Sequence, residues 1–216
     1  MDDLLETLPN LHRLALAYAP GRVRRAWLAL LALDARLAGV LRSSSEPMLA
    51  QIRLAWWRDM LAREAQDRPT GEPLMALIEC WGEHASGLIA LVDGWENLAE
   101  PETLDADAMR AFCQGRGAAA AALARLAGCP GAQQDAQAAG EGWALADLAA
   151  RLTDPGERET AARLMRELEW SRIALPRALR PLAVLYGLAR DAATKGKAAD
   201  NPGSLLRAMR IGLLGR

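Results

Sequence analysis

Cysteine, histidine and the aromatics other than tryptophan are scarce, with three Cys, two His, two Tyr and one Phe among 216 residues. Cys80, Cys113 and Cys129 are an odd number with no paired spacing. This excludes a disulfide framework and a cysteine zinc site and predicts reduced core thiols. His12 and His84 alone cannot build a histidine metal centre or a serine triad. No uninterrupted apolar run reaches the ~18 residues that a bilayer-crossing helix needs. The acidic start, Asp2, Asp3 and Glu6, lacks the basic region of a secretory signal. These absences predict a cytoplasmic protein, with at most a peripheral contact at the inner face of the membrane. β-Branched residues are sparse, and no segment alternates as a strand does.

What is abundant is alanine and leucine, within a hydrophobic content of 51% that is ample for a core. Apolar positions recur at three and four, so nearly the whole chain reads as helix. Breaks rich in Pro, Gly, Ser or Asp fall at Pro20-Gly21, Arg42 to Pro47, Arg68 to Pro73, Glu100 to Asp105, Cys129 to Gly131, Thr153 to Gly156, Leu175-Pro176 and Lys195 to Gly203. Roughly eight helices follow, with no linker long enough to divide the chain into domains and no internal repeat. The expectation is one all-α bundle over 1–216.

The net charge of −1 is uneven. From Ala161 to Arg216 there are eleven Arg and Lys against four acids, a surplus of +7, which leaves −8 on the remainder. A basic quarter on an acidic body suits an anionic ligand, a membrane surface or an acidic partner. It does not suit nucleic acid, because its cations are spread among apolar positions without aromatics to stack on bases.

The densest segment is Ser43-Ser44-Ser45-Glu46-Pro47 with Gln51 to Asp59 after it. Ser43 and Glu46 fit a capping box and Pro47 a preset first turn. On the helix that follows, Leu49, Ile52, Trp56 and Met60 share a stripe, with Arg53 and Trp57 one step round the same side. The plain reading is a core stripe with Arg53 held by a structural carboxylate. On the preceding helix, Asp34 falls within the stripe of Trp27, Leu30, Leu31, Ala38 and Leu41. A buried carboxylate needs a cation or hydrogen-bond donors, and Arg53 or Arg58 on the neighbouring helix is the expected partner. Asp147 stands one turn before Arg151, as an i, i+4 ion pair would. The glycines of Phe112-Cys113-Gln114-Gly115-Arg116-Gly117 cost helix stability, so close helix approach or room for a ligand must offset them.

In order and spacing these segments resemble the squalene/phytoene synthase family of head-to-head prenyl transferases. Ser45-Glu46-Pro47 and Gln51-Ile52-Arg53-Leu54-Ala55-Trp56-Trp57-Arg58 resemble its Glu-Pro, Arg and Trp-Trp-Arg signature. Leu91 to Glu96 resembles a helix with a short acidic-Gly segment, Phe112-Cys113 its Tyr-Cys stretch, and Gly142 to Leu145 the entry to its second metal-binding helix. The resemblance covers about residues 10 to 190. It implies an isoprenoid-synthase fold with a central hydrophobic cavity, and with Arg53, Trp56, Trp57, Phe112 and Trp143 lining a ligand site. In an active member, Asp34, Asp93, Asp147 and Asp154 would be the candidates for holding Mg²⁺.

The family's two aspartate-rich motifs do not stand in this chain. Ala38 and Gly39 occupy the place of the first, and Leu148 to Asp154 that of the second. Such erosion is similar to the divergent branch that includes a complex I assembly factor. The resemblance therefore implies a non-catalytic protein without a cofactor. It would bind an isoprenoid or lipid, or contact an anionic membrane surface or a respiratory complex. The alternative is a Mg²⁺-dependent transferase condensing two prenyl diphosphates.

Overall fold

The computed structural model describes residues 2–44, 46–69, 71–99, 103–195 and 208–213. Among them every regular element is helical. The α-helices are α1 (Asp2–Glu6), α2 (Asn10–Ala17), α3 (Gly21–Ser43), α4 (Pro47–Ala62), α5 (Pro73–Ile78), α6 (Ser86–Glu96), α7 (Ala106–Leu126), α8 (Gln133–Ala149), α9 (Pro155–Glu167) and α10 (Arg180–Lys195). A further helical segment spans 208–213. The helices beyond the expected eight arise at two breaks that composition underplayed. Thr7 to Pro9 separates α1 from α2, and Gly82, at φ 48°, bends the 3-10 stretch Glu79–Ala85 between α5 and α6. The expected breaks between 20 and 176 fall between elements, while that after Lys195 lies outside the described residues, as do 196–207 and 214–216 of the basic C-terminal quarter.

Helix starts follow local chemistry. The Asp105 carboxylate accepts from the N–H groups of Asp107 and Ala108, and Asp154 from those of Gly156 and Glu157, so each satisfies donors left over in a first turn. The expected capping box does not form. Ser43 is instead the last residue of α3, and Glu46 occupies the cap position of α4 with no side-chain bond to the backbone. Pro47 does begin the helix, as its fixed φ favours.

α7 runs through the middle, between α6 and α8; α4 covers the outer side of α6, and α9 and α10 cover α8. Small residues set this spacing. A Cβ added to Gly115 would lie 2.4 Å from the Ala90 carbonyl oxygen and 2.9 Å from Gly94 Cα, and one added to Gly140 would lie 2.9 Å from Gly117 Cα. The glycines predicted to allow close approach thus let α6, α7 and α8 meet backbone to backbone. A single apolar cluster reaches from Leu4 to Ile211. Pro73–Glu96 has the length and apolarity of a membrane span, yet Gly82 breaks it, and Trp81, Leu88, Leu91, Val92 and Trp95 are buried in the bundle. The thiols are free as expected, but only Cys113 is a core group; Cys80, on the 3-10 stretch, is exposed, and Cys129 is partly covered.

α4 presents the opposite face from the one its pattern suggested. Its buried side is Ala50, Leu54, Trp57, Met60 and Leu61, whereas Met48, Leu49, Ile52 and Trp56 face solvent. Two apolar stripes wind round this helix, and contact with α3 and α6 buries the one carrying Leu54, Trp57 and Leu61. Of the expected stripe, only Met60 is buried.

Candidate functional site

Asp34 points into the core from α3, 2% exposed, as its place in an apolar stripe implied. Its partner is not Arg53 or Arg58 but Arg116 of α7, itself 1% exposed. Arg116 Nη2 donates to both Asp34 oxygens at 3.0 and 2.9 Å, and Nε donates to Oδ1 at 3.2 Å. Trp95 Nε1 of α6 adds a donor to the same Oδ1 at 2.9 Å. The remaining arm, Arg116 Nη1, donates to Asp147 Oδ2 of α8 at 3.2 Å. Asp147 Oδ1 accepts from Arg151 Nη2 and Nε at 2.9 and 3.1 Å, which is the i, i+4 pair read from the sequence. Two carboxylates and two guanidiniums make a neutral cluster, the arrangement in which buried charge is tolerable.

Aromatic rings enclose the guanidinium. Arg116 Cζ lies 4.2 Å from the centroid of the Trp143 ring, 4.8 Å from Phe112 and 5.7 Å from Trp95, distances at which ring quadrupoles attract a cation. Phe112 and Trp95 also meet edge to face. His12 of α2 meets Trp143 edge to face, with ring centroids 5.5 Å apart, and its Nδ1 is buried without a partner among the described residues.

The electrostatics follow from burial and neighbours. Burial would lower the Arg116 pKa, but Asp34 and Asp147 outweigh it, and the guanidinium is held more firmly charged. Burial would raise the Asp147 carboxyl, but Arg116 and Arg151 outweigh it and hold the pKa below its usual value. For His12 burial prevails over the pull of Asp34 and Asp147, so its pKa falls below 6.5 and the ring stays neutral. Burial pushes the Cys113 thiol up to about 12, which leaves it unreactive.

The residues singled out from the sequence divide into two groups. Asp34, Asp147, Phe112 and Trp143 converge on Arg116. Arg53 stands apart on the exposed side of α4, and its Nη1 donates to Ser44 Oγ at 3.4 Å. Trp57 is buried under Arg36 of α3, and Trp56 meets it edge to face while itself 39% exposed. Asp93 is exposed on α6, and Asp154 is engaged in capping α9. The centre of the site, Arg116, went unread although it was signalled: it lies four residues beyond Phe112 and four before Ala120, an arginine on the apolar stripe of its helix.

A hard divalent cation needs several carboxylate oxygens free to converge. Here Asp34 and Asp147 spend theirs on Arg116, Trp95 and Arg151, and Asp93 and Asp154 lie elsewhere. No group of three or more His, Cys, Asp or Glu able to hold a metal occurs among the described residues. The residues present therefore do not fit Mg²⁺. Beside the cluster, a cavity of about 250 Å³ is lined by Cys113, Leu145, Leu164 and Leu168 with the Arg110–Glu167 pair. That lies below the ~300–1,000 Å³ typical of ligand pockets, whereas a cavity of about 510 Å³ lined by Arg158, Met165, Arg166 and Trp170 falls within that range.

Replacing Arg116 with Met strands the Asp34 carboxylate in the core, and the expected loss is about 3–5 kcal/mol in urea unfolding. Asp34→Leu combined with Arg116→Met should recover most of it; a double variant as unstable as the single would contradict the pairing. The His12 pKa is depressed on folding, so as pH falls below about 6.5 the unfolded chain takes the proton first and stability drops. That decline, read as the shift in urea midpoint between pH about 7.5 and about 5.5, should disappear in His12→Leu. The carboxylate of Asp147, also depressed, weakens the fold only further down, below about 3.8.

Searches of curated proteins and of solved structures give no match. The model of the squalene/phytoene synthase family matches residues 12–159, more than half the chain. That span holds α3, α4 and the whole Asp34–Arg116–Asp147 cluster, and the helical architecture of the described residues is that of the isoprenoid synthase fold. On these grounds the chain belongs to the squalene/phytoene synthase family.

Proposed function

We propose that this protein is a non-catalytic member of the family, retained for binding in the manner of an assembly factor rather than for prenyl transfer. One observation carries the reading: Arg116 occupies the space between the two carboxylates, Asp34 and Asp147, that a metal-dependent transferase would have to keep open. A prenyl transferase stabilises its leaving diphosphate with metal-borne positive charge. In this chain those carboxylates are neutralised by fixed guanidiniums, and opening the cluster would bury uncompensated charge. The scaffold persists because the same cluster joins α3, α6, α7 and α8.

The purified protein, incubated with farnesyl or geranylgeranyl diphosphate and Mg²⁺, should release no pyrophosphate and yield no coupled hydrocarbon on extraction. Pyrophosphate release by the wild-type protein that is abolished by chelation would overturn the reading.

A further inference from the structure

The outer face of α4 carries four of the six large apolar side chains that stand exposed among the described residues. Met48, Leu49, Ile52 and Trp56 are 66, 42, 59 and 39% exposed, and they recur at three and four residues along three successive turns. Scattered exposed apolar residues need no explanation, but a contiguous stripe of four large ones does. The fold does not require it, since α4 is already anchored from its other side by Leu54, Trp57 and Leu61.

Charge around the stripe identifies what can cover it. Arg53 borders it on the side of α3 and has no carboxylate partner among the described residues. Asp59 continues the stripe one turn beyond Trp56, likewise without a cation. Six residues separate the two, about 9 Å along the axis. Towards α6 the border carries acids: Asp59 and Asp93 both act on Glu96, which pairs with Arg58 at 2.8 Å. The border is mixed, with Arg53 and Arg63 exposed and Arg58 half-exposed beside Asp59 and Asp93, whereas an anionic bilayer calls for lysines and arginines all round the inserted side chains. A second copy also fits poorly. A two-fold pairing that covers the whole stripe centres on Ile52 and sets Arg53 against Gln51, whereas pairing Arg53 with Asp59 centres on Trp56 and slides Met48 off against Glu64.

We propose that this face docks an amphipathic helix of another protein. The partner lays apolar residues at i, i+3 or i+4, and i+7 along Met48, Leu49, Ile52 and Trp56. It carries Lys or Arg opposite Asp59 and Asp93, and an acid opposite Arg53. The proposal rests on the binding-protein reading above for its purpose, but the surface is tested separately from catalysis.

A photo-crosslinking amino acid placed at Ile52 of the full chain in its own cells, with exposed Arg163 of α9 as a control position, should trap one protein through a peptide of the stated pattern. With that protein purified, Arg53→Glu and Asp59→Lys should each weaken binding about tenfold or more, the range for truncating or reversing desolvated interface charges. Reversing the basic residue that faces Asp59 should restore binding to Asp59→Lys. Because these positions are exposed, the variants should melt with the wild type. Crosslinking to a second copy, binding to phosphatidylcholine–phosphatidylglycerol vesicles that Trp56→Glu abolishes, or a trapped protein indifferent to Asp59→Lys would each overturn the proposal. Prenyl transfer by the wild type would overturn the preceding reading while leaving this surface to the crosslink.

Discussion

The bundle depends on a buried arginine whose charge is shared between two helices on either side of it. Arg116 spends three of its N–H contacts on Asp34 of α3 and one on Asp147 of α8, while Trp95 of α6 binds the same Asp34 oxygen. Four helices are thereby fixed in register by groups that cannot be left unpaired in an apolar interior. The energetic consequence is asymmetric. The intact cluster contributes little net stability relative to an apolar core of equal shape, but loss of one member is expensive, so the arrangement specifies a structure more than it strengthens one. The rings of Phe112, Trp95 and Trp143 complete the enclosure by offering their faces and excluding water.

The same geometry links scaffold and function. A reaction centre for diphosphates needs carboxylates that are close, solvated and free to take up metal. Here two of the four aspartates that the family resemblance offered do converge, but on a cation the chain itself supplies. The fold stays recognisable, and the family assignment covers residues 12–159. Backbone contact at Gly94–Gly115 and Gly117–Gly140 leaves little room to widen the core without separating α6, α7 and α8.

Much of the architecture was legible in the sequence because helix punctuation is local. Proline at the start of α3, α4 and α9 and aspartate at the caps of α7 and α9 acted within a few residues of themselves. The burial of Asp34 was also legible, since it lies in a strong apolar stripe. Its partner was not, because pairing across 82 residues depends on which helices touch, and proximity in sequence pointed to Arg53 and Arg58. Nor was the orientation of α4: with apolar residues on both its sides, periodicity could not say which stripe α3 and α6 would cover. The side left over became the surface assigned above to a partner.

The central claim is that the converging carboxylates are held by Arg116 and not available to a metal. Electron paramagnetic resonance of Mn²⁺, a stand-in for magnesium at hard oxygen sites, measures this directly in the presence of a non-hydrolysable farnesyl diphosphate analogue. The account predicts that the free-ion signal keeps the same amplitude with and without protein. A protein-dependent loss of that signal, reversed by Asp34→Asn, would contradict it.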